Sequence, residues 1–202
     1  MILTSWGYSL PDATTLADII TETEFNTMTA GRYANDPRIS TGIAAASQAL
    51  RNYCGWHLAT SMNCKVKWNV RNRGIIRSGA DLLVQLPARF VSSVTSINID
   101  NEPFTDFFAD TNGMLTIFNV GPLTKQSVIE IVYVAGVTDT SGIKQLVADM
   151  VTLGLAKSYG VTSEAAGGVS ITYNSNWTNG SFDRIFENNA ALLNPYRLEG
   201  VF

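Results

Sequence analysis

His57 is the only histidine in the chain, and Cys54 stands three residues before it. An imidazole that takes the proton of a neighbouring thiol makes a thiolate nucleophile, so this pair is the first place to look for catalysis. Two considerations weigh against it. Catalytic cysteine and histidine normally come from separate segments, and a histidine just past a helix end interacts favourably with the last carbonyls whatever the function. Cys64 is the only other cysteine, and its distance from Cys54 fits neither a zinc site nor a Cys-x-x-Cys redox pair. We read both thiols as partly buried small hydrophobes in a reducing cytoplasm rather than as a disulfide. The acids Asp100, Glu102, Asp106 and Asp110 fall within eleven residues and would suit a calcium site or a glycosidase carboxylate pair. They do not follow the calcium-loop spacing, and acids at hairpin tips are ordinary turn formers. No Gly-x-Ser-x-Gly elbow, phosphate-binding glycine loop or His-Glu-x-x-His occurs. The expectation is therefore no enzyme, no catalytic residue, no metal and no cofactor. Trp56, Trp68 and Trp177 could stack on sugars in a carbohydrate-binding β module, although packing is the commoner role of tryptophan. The acceptor patterns at Asn176 and Asn179 matter only in a secreted eukaryotic protein.

The whole composition points the same way. Hydrophobic residues make up 46% of the 202-residue chain and charged residues 15%, whereas surfaces usually carry about 25–35% charged residues. Some of the surface should be covered by partners. A net charge of -3 without a Lys/Arg cluster argues against gripping nucleic acid through its phosphates. The longest apolar runs, such as Val128–Val134, fall far short of the roughly 20 residues of a membrane-spanning helix, and the N-terminus lacks a basic segment followed by an apolar one. The chain reads as soluble and unexported, with no membrane partner.

Several elements would position these residues. Residues 1–21, with Gly7, Pro11 and Asp12, show no sustained periodicity and read as an N-terminal arm. Thr21 and Glu24 have capping-box spacing and open a short helix over Glu22–Thr29. Asp36–Pro37 is a start signal for a helix over Pro37–Cys54, whose Ile39, Ile43, Ala46, Leu50 and Tyr53 recur every three or four residues before Gly55. Ala44, Ala45, Ala46 and Ala49 would let another helix approach closely. From Ala59 to Ala135 the pattern alternates, giving about six or seven strands, with a hairpin turn at Asp100–Asn101. Helical spacing returns over Gly142–Tyr159, apolar nearly all round and so buried on two sides. A strand at Val169–Tyr173, a helical patch at Phe182–Leu193 and a tail beginning at Asn194–Pro195 close the chain. The fold class expected from this order is α+β: a helical core of two long packed helices plus short helices (22–58 and 136–193), an inserted antiparallel β-sandwich or barrel-like region (59–135), and a C-terminal tail (194–202).

Five stretches, taken in order, resemble the head-tail connector (adaptor, or head completion) proteins of long-tailed double-stranded DNA bacteriophages. Ile43-Ala-Ala-Ala-Ser-Gln-Ala-Leu-Arg-Asn-Tyr-Cys-Gly-Trp is similar to the end of that family's first long helix. Leu83-Val-Gln-Leu-Pro-Ala-Arg-Phe-Val-Ser-Ser-Val-Thr-Ser-Ile is similar to its proline-interrupted, valine-rich strand. Ile129-Glu-Ile-Val-Tyr-Val-Ala-Gly-Val followed by Ile143-Lys-Gln-Leu-Val-Ala-Asp-Met-Val resembles its strand-to-helix joint, and the stretch from Gly160 to Tyr173 and Leu193-Asn-Pro-Tyr-Arg-Leu are also similar.

The resemblance implies a structural virion protein at the head-tail junction, assembled in the host cytoplasm. It would be a homo-oligomeric ring, a dodecamer in the family's usual form, under the portal protein. The ring would join capsid to tail, meet a tail-completion or stopper protein below, and let double-stranded DNA pass without specific binding. An acidic protein suits such a conduit because it does not hold DNA. The tail resembles the family's portal-contacting extension, which makes Tyr196, Arg197, Leu198, Val201 and Phe202 the candidate portal-binding residues. The competing expectation is a carbohydrate-binding β module of a phage tail, with Trp68 or Trp177 as its platform.

Overall fold

The computed structural model describes residues 1–13, 15–71, 74–156, 163–166, 169–172 and 181–198. They divide into two compact units. One comprises Met1–Ala17, Cys54–Thr140 and Tyr196–Phe202, and the other Asp18–Tyr53 and Ser141–Pro195.

The first unit is built of antiparallel strands. Its larger sheet runs β1 (Ile2–Leu3), β2 (Ser9–Leu10), β3 (Met62–Asn69), β10 (Val128–Ala135), β6 (Val91–Ile99), β7 (Glu102–Phe104). The smaller runs β4 (Ile75–Ser78), β5 (Asp81–Gln85), β9 (Met114–Ile117), β8 (Phe107–Ala109). Strand β10 shows why these residues pair as they do. Ile129, Ile131, Tyr133 and Ala135 alternate inward and are fully buried. In register beside them lie Trp68, Val66 and Cys64 on β3 and Ile99 and Ile97 on β6. Each buried Ile or Val stabilises by about 1.5–3 kcal/mol, and a one-residue slip would turn the whole set to solvent, so the apolar pattern fixes the register. On the opposite face Glu130 bridges Lys65 at 2.8 Å and Lys67 at 3.9 Å. Between β6 and β7 the two turn residues Asp100 and Asn101 have φ of 53° and 71°, the left-handed pair required by a tight two-residue hairpin.

The second unit holds the helices. α1 (Glu22–Met28) carries the expected capping box: Thr21 Oγ1 accepts the Glu24 N–H and the Glu24 carboxylate accepts the Thr21 N–H. α2 (Ile39–Cys54) begins two residues later than expected: Asp36 accepts the Arg38 N–H as a capping residue does and pairs with the Arg38 guanidinium at 2.7 Å, but the first turn closes through the tighter bond from the Ile39 N–H to the Asp36 carbonyl, and regular helix follows it. Ile39, Ile43, Ala46, Leu50 and Cys54 form its buried stripe, while Ala44 and Ala45 are exposed. In α3 (Ser141–Ala156), Ile143, Leu146, Val147, Ala148, Met150 and Val151 bury a broad face. Lys144 ties it to Glu24 of α1 at 2.6 Å, and Val151 lies against Gly42 of α2. A hairpin of β11 (Ser163–Ala166) and β12 (Val169–Thr172) follows, then α4 (Ser181–Asn188), whose Phe186 stacks on Tyr53 at 4.4 Å, and α5 (Ala190–Leu193).

This architecture corrects the expected α+β fold with a helical core of two long packed helices. The chain is mostly β, with sheets of six and four antiparallel strands, and its helices are short. Even the longest, α2 and α3, have 16 residues, about 24 Å of helix. Periodicity identified the helical and alternating segments but carried no information on which class forms the bulk of the structure.

Candidate functional site

Cys54 closes α2 with its side chain fully buried, and burial pushes its thiol up to about 12. A nucleophile needs the opposite shift. The His57 ring, also fully buried, is committed at both nitrogens. The Tyr8 hydroxyl accepts the His57 backbone N–H at 2.9 Å, leaving its own proton for Nδ1 at 2.7 Å. Nε2 is then the protonated nitrogen and donates to the Ala135 carbonyl at 3.2 Å. This network pins the N-terminal strands to the end of β10. Cys64 is likewise buried, with its thiol pushed up to about 12, and both cysteines are free.

The acid run serves the backbone. Asp100 accepts the Val128 N–H at 2.7 Å, a bond that holds its carboxyl below the usual range. Asp110 accepts the N–H groups of Asn112 and Met114, both at 2.9 Å, closing the β8–β9 turn. Asp106 accepts from the Asn119 amide at 3.3 Å, and Glu102 lies exposed on β7. Among the described residues no cluster of three or more His, Cys, Asp or Glu side chains is placed to hold a metal. Trp56 is fully buried and Trp68 nearly so, with Nε1 donating to the Gly7 carbonyl at 3.3 Å, so neither presents a ring face to a sugar. Trp177 lies outside the described residues.

The tail is where side chains converge on something other than core packing. Tyr196 ends a 3-10 turn over Asn194–Tyr196. Its carbonyl accepts Trp56 Nε1–H at 2.6 Å, and its ring lies 5.5 Å from that of Phe90. The Arg197 carbonyl accepts Arg89 Nη1–H at 2.8 Å, and the Leu198 N–H donates to the Cys54 carbonyl at 2.9 Å. Gly55 makes room for this: with φ of 80° it ends α2 in the left-handed conformation, and Leu198 packs beside it. Arg197 is exposed and Leu198 half-buried. Of the five proposed contact residues, Tyr196, Arg197 and Leu198 therefore lie together on the first unit, whereas Val201 and Phe202 fall outside the described residues. Sequence reasoning missed Trp56, Arg89 and Phe90 as partners of this segment. It also missed Ile76 and Phe108, each 62% exposed on the smaller sheet. Through the register Ile76–Leu83–Thr116–Phe108 they lie on one outer face.

The described residues thus present buried thiols, acids that hold turns and a segment, 196–198, anchored through its main chain. The chain matches the family model described as "Head completion protein" over residues 18–197 and belongs to that family. It is thus a structural virion component of a bacteriophage that works alongside other head and tail proteins. No curated protein matches the chain. No helix among the described residues is long and apolar enough to cross a membrane.

Proposed function

We propose that this chain is the head-to-tail connector of its phage. It assembles in the host cytoplasm as a ring, a dodecamer in its usual form, beneath the portal protein, joins the capsid to the tail, receives a stopper protein below and leaves a conduit for the genome. Tyr196, Arg197, Leu198, Val201 and Phe202 are the portal-binding residues of this reading. The observation that carries it is the anchored segment 196–198, held by its main chain with Arg197 left exposed. The family match supports the setting, and the net charge of -3 supports a lumen along which DNA slides rather than sticks. A ring needs two different patches on each subunit, and the exposed apolar residues of the smaller sheet are consistent with one of them.

The test is co-sedimentation with the portal protein of the same phage. The full chain should co-sediment, and a chain ending at Pro195 should fold but fail to bind. Undiminished binding by that truncated chain would remove the tail from the interface.

A further inference from the structure

We propose that Trp56, Arg89 and Phe90 form a clamp that fixes the course of residues 196–198, and that these are positioning residues for portal binding rather than contact residues. This rests on the reading of the tail given above.

The clamp is recognised by what it holds. Hydrogen bonds reach three consecutive residues, and each involves a main-chain group: the carbonyls of Tyr196 and Arg197 accept, and the amide of Leu198 donates. Bonds to the backbone fix the path of the chain whatever the side chains do, and the Arg197 side chain is exposed. The donors are themselves fixed. The Trp56 ring is fully buried, 5.0 Å from His57 and 6.0 Å from Phe90. The Arg89 guanidinium also donates from Nη2 to Asn112 Oδ1 at 3.3 Å, in the turn that Asp110 closes. Arg89 thereby spans from that turn to the tail. Phe90, with φ of 56°, adopts a left-handed conformation unusual for a bulky residue, and its ring lies between those of Trp56 and Tyr196 in the aromatic series. Residues after Leu198 therefore start from a fixed point.

Arg89→Met in the full chain removes both guanidinium bonds at a partly exposed site, and Arg89→Lys retains one donor. Two quantities are read: hydrogen exchange at the Leu198 amide and affinity for the portal protein. The chain ending at Pro195 serves as the reference for loss of the whole tail. The expected result is a folded Arg89→Met protein whose Leu198 amide exchanges about tenfold faster and whose portal affinity falls about tenfold, with partial recovery in Arg89→Lys. Unchanged exchange at Leu198 would overturn the clamp. Faster exchange with full portal affinity, while the truncated chain fails to bind, would overturn the positioning role but leave the tail as the binding element. Full binding by the truncated chain would overturn the tail's part in portal binding and the positioning role with it, and exchange at Leu198 would still report separately on the anchor. Trp56→Phe, which keeps an aromatic ring but loses the indole donor, should reproduce the exchange result; a Leu198 amide as protected as in the parent would count against the clamp.

Discussion

At the scale of single residues, the groups that looked most chemical turn out to hold the backbone. Cys54 and Cys64, each pushed up to about 12, should resist a maleimide at pH 8, where only about one thiol in ten thousand is ionised. Both should label fully in urea, and rapid labelling of Cys54 in the native protein would revive the nucleophile. Tyr8→Phe deletes the hydroxyl shared by the His57 amide and Nδ1 and should lower stability by about 1–3 kcal/mol, measured by urea unfolding. At Gly136 a Cβ would collide with the backbone of Thr60 and Ser61. Gly136→Ala should therefore cost about 3 kcal/mol, the scale of severe overpacking; a cost near zero would mean that the 60–61 backbone moves aside freely. The single histidine was visible in the sequence, but its role depends on Tyr8 and Ala135, 49 and 78 positions away. No local spacing reports such partners.

Among elements, those with strong local signals were legible. The capping box at Thr21 and Glu24, the stripe of α2, the Asp100–Asn101 hairpin and the alternation of β10 all follow from nearest-neighbour stereochemistry and burial. The two-residue strands β1 and β2 have no periodicity to show, and they exist through pairing with each other and with β3. Whether the helices or the sheets form the bulk of the structure was not legible either, because it depends on pairing between distant strands: β3 and β6 meet on either side of β10. The α1–α3 link offers a test by pH. Lys144 and the Thr21 amide hold the Glu24 carboxyl below its ordinary value of 4.5. The folded state thus favours the ionised form, so the contribution is complete above pH 4.5 and is lost as pH falls through the lowered folded value. Glu24→Gln should flatten the acid limb of the stability curve, with a loss at pH 7 below about 1 kcal/mol because both partners of the pair stay partly in solvent. An unchanged acid limb would show that the pair does not act in solution.

At the scale of the molecule, low charge content gave the first sign that this chain is completed by others. The structure adds an outer face with exposed Ile76 and Phe108 and the anchoring of residues 196–198 beside Trp56 and Arg89. The tail's candidate role came from a resemblance in the sequence, but its anchor could not, since Arg89 has no local pattern and lies 108 residues from the carbonyl it holds. The most direct measurement of the connector reading is electron microscopy of the full chain mixed with the portal protein of the same phage. A ring of added density at the portal's narrow end, sharing the portal's symmetry and contacted by residues 196–202, is the expected result. Bare portals, with both proteins folded and in excess, would contradict it.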